Sequence, residues 1–163
     1  MKKLLCTLAL VGLLAAPGAV QAQMTAGPIL AYHTDAEAIG AGAFLTIPMA
    51  QISEGISIVP NFTWYFPDGY DYFEVNGDVM YAFPVGADAP VAPFAFAGLN
   101  WSRTSVTVGT FSASSSDIGL NLGGGVNFNA GSLNPFAGAK FTMSDGTGFV
   151  IFGGVGFAVG GGA

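Results

Sequence analysis

The stretch that decides the fold is Phe73–Phe83, FEVNGDVMYAF, in which two kinds of residue alternate. Its odd positions are large and apolar apart from one glycine, whereas its even positions include Glu74, Asn76 and Asp78. An alternation of period two is typical of a strand whose two faces meet different surroundings. The stretch therefore predicts a β-strand with one apolar face and one polar face.

The same alternation recurs further along the chain, in 117–129 and 149–159, where large apolar residues oppose polar residues or glycine. Clusters of Pro, Gly, Asp and Asn mark the reversals between such stretches. Read in this way, the sequence predicts eight strands, near 27–34, 38–48, 55–66, 71–84, 92–104, 115–129, 134–144 and 147–159.

The composition indicates that a medium other than water surrounds part of the surface. Apolar residues make up 52% of the chain and charged residues only 9%, compared with about a quarter charged in soluble domains. Strands of about ten residues have the length that a tilted strand needs to cross a bilayer. Hydrocarbon requires every backbone polar group to be paired, which a sheet achieves by closing. The predicted fold is all-β: an eight-stranded antiparallel up-and-down transmembrane β-barrel.

The N-terminus has the pattern of an export signal. Met1–Lys3 is basic, residues 4–16 are apolar, and Val20–Ala22 resembles a small-residue cleavage site. We therefore predict a cleaved signal peptide over residues 1–22 and one barrel domain over residues 23–163. The single cysteine, Cys6, leaves with the signal, so the mature chain can form no disulfide.

Charge argues against nucleic-acid binding. Once Lys2 and Lys3 are removed, two basic residues remain against ten acidic ones, for a net charge of −8. Binding to a phosphate backbone requires a basic surface, which this chain lacks.

Along each strand, alternate positions share one phase, meaning that their side chains point to the same face of the sheet. Six polar residues occupy the phase predicted to face inward: Glu74, Asp78, Asp117, Lys140, Asn76 and Asn121. We expect them to form a structural polar network in the lumen, which at eight strands is just wide enough for side chains to fill. A buried charge is costly unless it is paired, so Lys140 is predicted to pair with Asp78 or Glu74. The alternative is that these charges are hydrated near the strand ends. The other inward residues are expected to be small or polar, among them Gly119, Gly123, Gly125, Gly138, Gly154 and Asn61.

The connections suggest an orientation with the N-terminus in the periplasm. Inner turns are predicted at 48–55, 84–93 and 129–135, and outer loops at 35–37, 67–70, 103–116 and 144–146. Only the Ser/Thr-rich third loop is long and polar. Aromatic residues near the strand ends favour two interfacial girdles. The outer girdle would hold Trp64, Tyr65, Phe66, Tyr70, Tyr72 and Trp101, and the inner girdle Phe83, Phe94, Phe128 and Phe136.

Several segments resemble the small outer-membrane β-barrel family that is often labelled opacity-like or porin-family. They are Gly55–Phe66, Glu74–Pro84, Ala92–Leu99, Asp117–Val126 and Asn134–Ala139, followed by the glycine-aromatic final strand. The resemblance covers nearly all of the mature chain and implies an integral barrel of the Gram-negative outer membrane. Members of that family often end in an aromatic residue that resembles an assembly signal, whereas this chain continues past Phe157 to Ala163.

The sequence contains no recognisable set of catalytic residues, and we predict that the protein is not an enzyme. The single histidine, His33, could meet Asp35, Glu37, Ser102 or Ser105 at the outer rim, but no spacing supports a catalytic set. One histidine and scattered carboxylates define no metal site, so neither a metal nor a cofactor is expected.

The leading functional hypothesis is a non-enzymatic barrel in the bacterial outer membrane with a structural or surface-exposed role. Its expected partners are outer-membrane lipid, the outer-membrane assembly machinery and an extracellular ligand of unknown identity, bound through the 104–116 loop. Three alternatives remain open: a narrow porin-like channel for ions or very small solutes, a lipid-modifying barrel enzyme, and a soluble lipocalin-like carrier.

Overall fold

The structure is a computed structural model that describes residues 23–86, 88–130, 133–144 and 146–159, and it forms eight strands within them. They are β1 (Met24–His33), β2 (Ala38–Pro48), β3 (Ile56–Tyr65), β4 (Asp71–Ala82), β5 (Val91–Val108), β6 (Phe111–Phe128), β7 (Asn134–Met143) and β8 (Thr147–Val159). The predicted signal peptide and the last four residues lie outside the described part of the chain.

The strands form one closed antiparallel barrel in which each strand pairs with its neighbours in sequence. Closure is made by β1 and β8, which pair from Met24 opposite Val159 to His33 opposite Val150. The sheet therefore has no free edge around the barrel wall, as the sequence predicted. No helix in the described ranges is long and apolar enough to cross a bilayer.

The two faces of the strands separate as the alternation predicts. Val75, Leu120 and Ile151 point away from the lumen and are 43%, 55% and 53% exposed. On β4 the alternate residues Glu74, Asn76 and Asp78 are buried. Large apolar side chains thus cover the outside of the barrel, while polar groups are enclosed.

The prediction of a long outer loop at 103–116 is wrong. β5 and β6 continue as a hairpin through Val108 and Phe111 and are joined by Gly109 and Thr110. Gly109 has a φ of 63°, and a glycine with positive φ at the first central position is typical of a two-residue type II′ turn. The β-branched Thr and Val residues in 104–108 favour extended pairing, although the Ser/Thr-rich composition of the segment resembles that of a loop.

The hairpin extends beyond the barrel wall. β4 pairs with β5 only as far as Asp71 opposite Ser105. On the other side, the pairing of β6 with β7 begins at Leu120. Among the described residues, the tip of the hairpin therefore pairs only within its own two strands, and Phe111 there is 83% exposed.

Some of the aromatics assigned to the two girdles point outward, and for the others the assignment is wrong because they point inward. The side chains that point outward and are exposed are those of Trp64, Phe66, Phe83, Trp101 and Phe128. Pointing into the barrel instead are Tyr65, Tyr72, Phe94 and Phe136, which line its internal cavities. Side-chain direction follows strand phase, so proximity to a strand end was a poor guide to the face.

Glycines on the inner face make room for large side chains, and we expect this to be measurable at Gly138. A Cβ added there would lie 2.6 Å from the Gly124 carbonyl oxygen and 2.7 Å from Phe152 Cζ. Gly138→Val should therefore lower the free energy of unfolding by about 1–3 kcal/mol through overpacking. The measurement is the urea midpoint of the folded barrel, followed by its heat-modified mobility on gels.

Gly77→Val is the matched control, because a Cβ added at Gly77 meets nothing within 4 Å. It should leave stability unchanged or raise it slightly, since glycine weakens a strand interior. Equal losses in the two variants would show that crowding in the lumen is not the cause.

Candidate functional site

The lumen contains a layer of polar side chains at mid-height, contributed by five consecutive strands, β3 to β7. We call it the polar layer, and its members are Asn61, Glu74, Asn76, Asp78, Asn100, Asn121, Lys140 and Thr142. All but Asn61 are buried. Each occupies the inward phase of its strand, so the alternation that forms the barrel also brings these groups together.

An ion pair occupies the centre of this layer. Lys140 Nζ lies 2.8 Å from Glu74 Oε2, and the two side chains are 8% and 0% exposed. Tyr72 Oη donates a hydrogen bond of 2.7 Å to the other carboxylate oxygen, Glu74 Oε1. The carboxylate is therefore compensated by both charge and hydrogen bonding, which a buried charge requires. Of the two predicted partners of Lys140, the structure selects Glu74.

Asn76 connects the rest of the layer. Its Oδ1 accepts hydrogen bonds from Asn100 Nδ2 and Asn121 Nδ2, both at 2.8 Å, and from Lys140 Nζ at 3.2 Å. Its Nδ2 donates to Asn61 Oδ1 at 2.8 Å. One amide thus links side chains from β3, β5, β6 and β7.

Asp78 forms the edge of the same network that is nearer to the described chain ends. Its carboxylate accepts from Asn61 Nδ2 at 3.1 Å and from Asn121 Nδ2 at 3.0 Å. Thr142 Oγ1 donates to Asn121 Oδ1 at 3.0 Å. The bonds run across the lumen between strands on different sides, so the polar layer blocks the barrel at this height.

Asp117 is the one predicted network residue that lies apart. It is half-buried at the outer rim of β6, paired in register with Ser102. It lines the outer cavity rather than the polar layer. The predicted strand 115–129 already placed Asp117 near its outer end, and this position was the signal that it would lie apart. Alternation alone gives the face of a strand but not the height at which residues meet across the lumen.

The polar layer divides the lumen into two cavities. The outer cavity has a volume of about 370 Å³ and is lined largely by polar groups, including His33, Asp35, Ser102, Thr104, Asp117 and Thr142. The inner cavity has a volume of about 240 Å³ and lies on the side of the described chain ends. Lys140 and Asp78 line its upper limit.

The inner cavity has an aromatic wall that the sequence analysis missed. Five phenylalanines contribute to it: Phe44, Phe94, Phe96, Phe136 and Phe152. They contact one another around the lumen, with ring centroids 4.9 Å apart for Phe44 and Phe136 and 5.9 Å for Phe96 and Phe152. Most of the predicted inward glycines are opposite these rings: Gly123 faces Phe96 and Gly138 faces Phe152, whereas Gly119 lies against the backbone of Met143.

The alternation along β5 would have predicted part of this phenylalanine wall. Phe94 and Phe96 share the phase of the inward polar residues Asn100 and Ser102 on β5. Reading the inward face as only small or polar was therefore wrong for the inner half of the barrel. Small residues on one strand leave the space that large ones on the next strand fill.

His33 lies at the outer end of β1, with its ring edge-on to Tyr65 and Tyr72 at centroid distances of 5.6 Å. Its Nδ1 accepts a hydrogen bond of 3.3 Å from the backbone N–H of Ala36. Asp35 accepts from the backbone N–H of Phe149 at 3.3 Å. These contacts fix the β1–β2 connection, and no hydrogen bond among the described residues joins His33 to a serine.

No group of three or more His, Cys, Asp or Glu side chains in the described ranges is arranged to hold a metal ion. The two acidic side chains of the polar layer already have partners: Glu74 pairs with Lys140, and Asp78 accepts from asparagine amides.

Solved structures of small outer-membrane β-barrels share this fold. The N-terminal β-barrel domain of Pseudomonas aeruginosa OprF superimposes with a TM-score of 0.71 at 14% sequence identity, covering 84% of this chain and 97% of that one. Neisserial surface protein A gives a TM-score of 0.62 at 17% identity, covering 83% and 94%. Ail, the attachment invasion locus protein of Yersinia pestis, gives 0.61 at 14% identity, covering 83% and 95%.

No protein-family profile matches the chain, and no curated protein matches its sequence. At identities below a fifth, the structural similarity concerns the fold: a closed eight-stranded barrel of the outer-membrane type.

Proposed function

We propose that the protein is a non-enzymatic integral barrel of the bacterial outer membrane, with a sealed lumen and a structural or surface-exposed role. In this proposal residues 1–22 direct export and are removed. The assembly machinery then inserts the barrel, and outer-membrane lipid surrounds it. The observation that carries the proposal is the combination of an apolar outer surface with a lumen blocked by buried polar groups.

The outer surface supports a lipid environment. Large apolar side chains on the outward phase are exposed on every strand, for example Leu30, Ile39, Leu99, Leu122 and Phe141. A soluble protein rarely exposes so continuous an apolar surface. This also argues against the soluble carrier, whose polar face would have to point outward.

The polar layer argues against the channel alternative. An ion crossing the lumen would have to displace the buried Lys140–Glu74 pair and break the buried hydrogen bonds of Asn76. An eight-stranded barrel has an interior just wide enough for side chains to fill, which disfavours a second path beside the layer. A structural or surface role therefore fits better than conduction.

The β5–β6 hairpin is the part of the barrel best suited to surface recognition. With the described chain ends in the periplasm, the hairpin extends outward beyond the barrel wall. Its strands carry Thr and Ser, and its tip carries the exposed residues Val108 and Phe111. A projecting element on a rigid scaffold is a common position for binding an extracellular ligand.

Two measurements on the wild-type protein test this function. In cell fractions, the mature chain should remain with the outer membrane after alkaline carbonate washing and require detergent for release. In planar bilayers, the purified folded barrel should give no unitary conductance.

Release without detergent would contradict the membrane assignment and favour the soluble carrier. Reproducible unitary conductance that is abolished by substitutions in the polar layer would contradict the sealed lumen and favour a channel. Heat-modified gel mobility verifies that the protein is folded in both measurements, so that neither result comes from unfolded chain.

A further inference from the structure

The inner cavity is enclosed by apolar side chains on most of its surface. In addition to the phenylalanine wall, it is lined by Ile29, Ala31, Val59, Met80 and Val150. These residues come from β1, β3, β4 and β8, so the apolar lining continues around the lumen. An apolar wall of this kind offers dispersion contacts to a hydrocarbon and few hydrogen bonds to water.

The volume sets the size of a molecule that fits. An apolar cavity of about 150 Å³ in another protein stays dry and binds benzene. Scaled from that case, a cavity of about 240 Å³ holds about ten carbon atoms. The cavity is too small for a complete lipid and suits a bicyclic ring or a medium-length chain.

Charge at the upper limit of the cavity favours a neutral occupant. Lys140 is engaged by Glu74 and Asn76, and both oxygens of Asp78 accept from asparagine amides. A charged group brought into contact with them would lose its water and compete with bonds that are already made. The buried end of the occupant is therefore expected to be hydrocarbon.

Access is from the inner end of the barrel. Towards the outer end, Tyr65 and Val150 are each 1% exposed, and the polar layer lies above the cavity. Towards the inner end, the lining consists of polar side chains at the strand ends that are half-buried or exposed, namely Thr25, Thr46, Asn127 and Asn134. These groups can hydrogen-bond a polar end that remains at the mouth.

We propose that the inner cavity is a binding site for a neutral, hydrocarbon-like molecule of up to about ten carbon atoms, which enters from the inner mouth and leaves any polar end there. The site is distinct from the hairpin that the proposed function assigns to surface recognition. It depends on the barrel fold and not on whether the hairpin binds a ligand.

The test uses naphthalene as the probe and the full mature barrel in bicelles of deuterated lipid. Protein methyl groups are labelled, and contacts with naphthalene protons are observed as intermolecular nuclear Overhauser effects. We expect these effects at Ile29 and Val150, which line the cavity, and a saturable titration of the same methyl signals.

The paired variants are Val59→Phe, which fills the cavity, and Val79→Phe, which adds the same ring on the outward face of β4. The first should weaken naphthalene binding at Ile29 and Val150 at least tenfold, whereas the second should leave it unchanged. Thr46→Phe, which narrows the mouth, replaces Val59→Phe if the latter does not fold.

Three results would overturn the proposal. The first is contact only with outward methyl groups such as those of Leu99 and Leu120, which means partition into lipid. The second is no effect at Ile29 or Val150, and the third is binding that survives the cavity-filling variant. Failure of the membrane assignment is recognised separately, by release of the protein without detergent.

Discussion

Lys140→Met is expected to lower the free energy of unfolding of the barrel by about 3–5 kcal/mol, because it leaves the carboxylate of Glu74 buried without a counter-charge. Glu74 is fully buried and lies 2.8 Å from Lys140 Nζ. Its remaining hydrogen-bond partner at short range, Tyr72 Oη, supplies no charge. The urea midpoint of the folded barrel, followed by heat-modified gel mobility, measures the change.

Two control variants separate this effect from a general loss of packing. Arg103→Met removes an exposed charge whose guanidinium donates to Ser114 Oγ at 3.1 Å, and it should change stability by no more than about 0.5 kcal/mol. The double variant Lys140→Met/Glu74→Gln should recover part of the loss, because it removes the uncompensated buried charge that Lys140→Met leaves on Glu74. If Lys140→Met is as stable as Arg103→Met, the buried ion pair is not a stabilising feature of the lumen.

Asn76→Ala should produce the second largest effect, because one acceptor atom serves three buried donors. Its Oδ1 accepts from Asn100, Asn121 and Lys140. Each buried polar group left without a partner costs about 1–3 kcal/mol. Asn121 and Lys140 keep their bonds to Asp78 and Glu74, so we expect a total loss of about 3 kcal/mol.

Asn127→Ala is the matched control, since it removes the same amide from a half-exposed position at the mouth of the inner cavity. It should cost less than about 1 kcal/mol. The double variant Asn76→Ala/Lys140→Met should lose less than the sum of the two single losses, because the two residues share a network. Strict additivity would argue against a connected polar layer.

The alternation along the strands predicted that most of these residues face the lumen, and the structure shows which of them contact one another. Five of the six predicted lumen residues meet in the polar layer: Glu74, Asp78, Lys140, Asn76 and Asn121. The sixth, Asp117, lies at the outer rim. Asn100 and Thr142 belong to the layer as well, and each shares the inward phase of its strand, but nothing in their local sequence distinguished them.

The fold was largely predictable because the information for it is local. The period-two alternation and the turn residues predicted eight strands, most of whose bounds agree with the structure to within three residues. The exception is the β5–β6 hairpin. Its Ser/Thr-rich composition resembles that of a loop, yet β-branched residues and a glycine with positive φ at Gly109 form a paired turn.

The sequence by itself determined the number of strands and the face that each residue occupies, since these follow from alternation along single strands. It also indicated closure of the sheet, because an apolar outer surface in hydrocarbon requires every backbone polar group to be paired. Only the tertiary structure decided that Lys140 meets Glu74, 66 residues away, and that phenylalanines line one half of the lumen below a polar layer. The physical reason is that contacts across the lumen depend on the stagger between strands, which sets the height of each inward residue. A pattern read along one strand contains no information on that height.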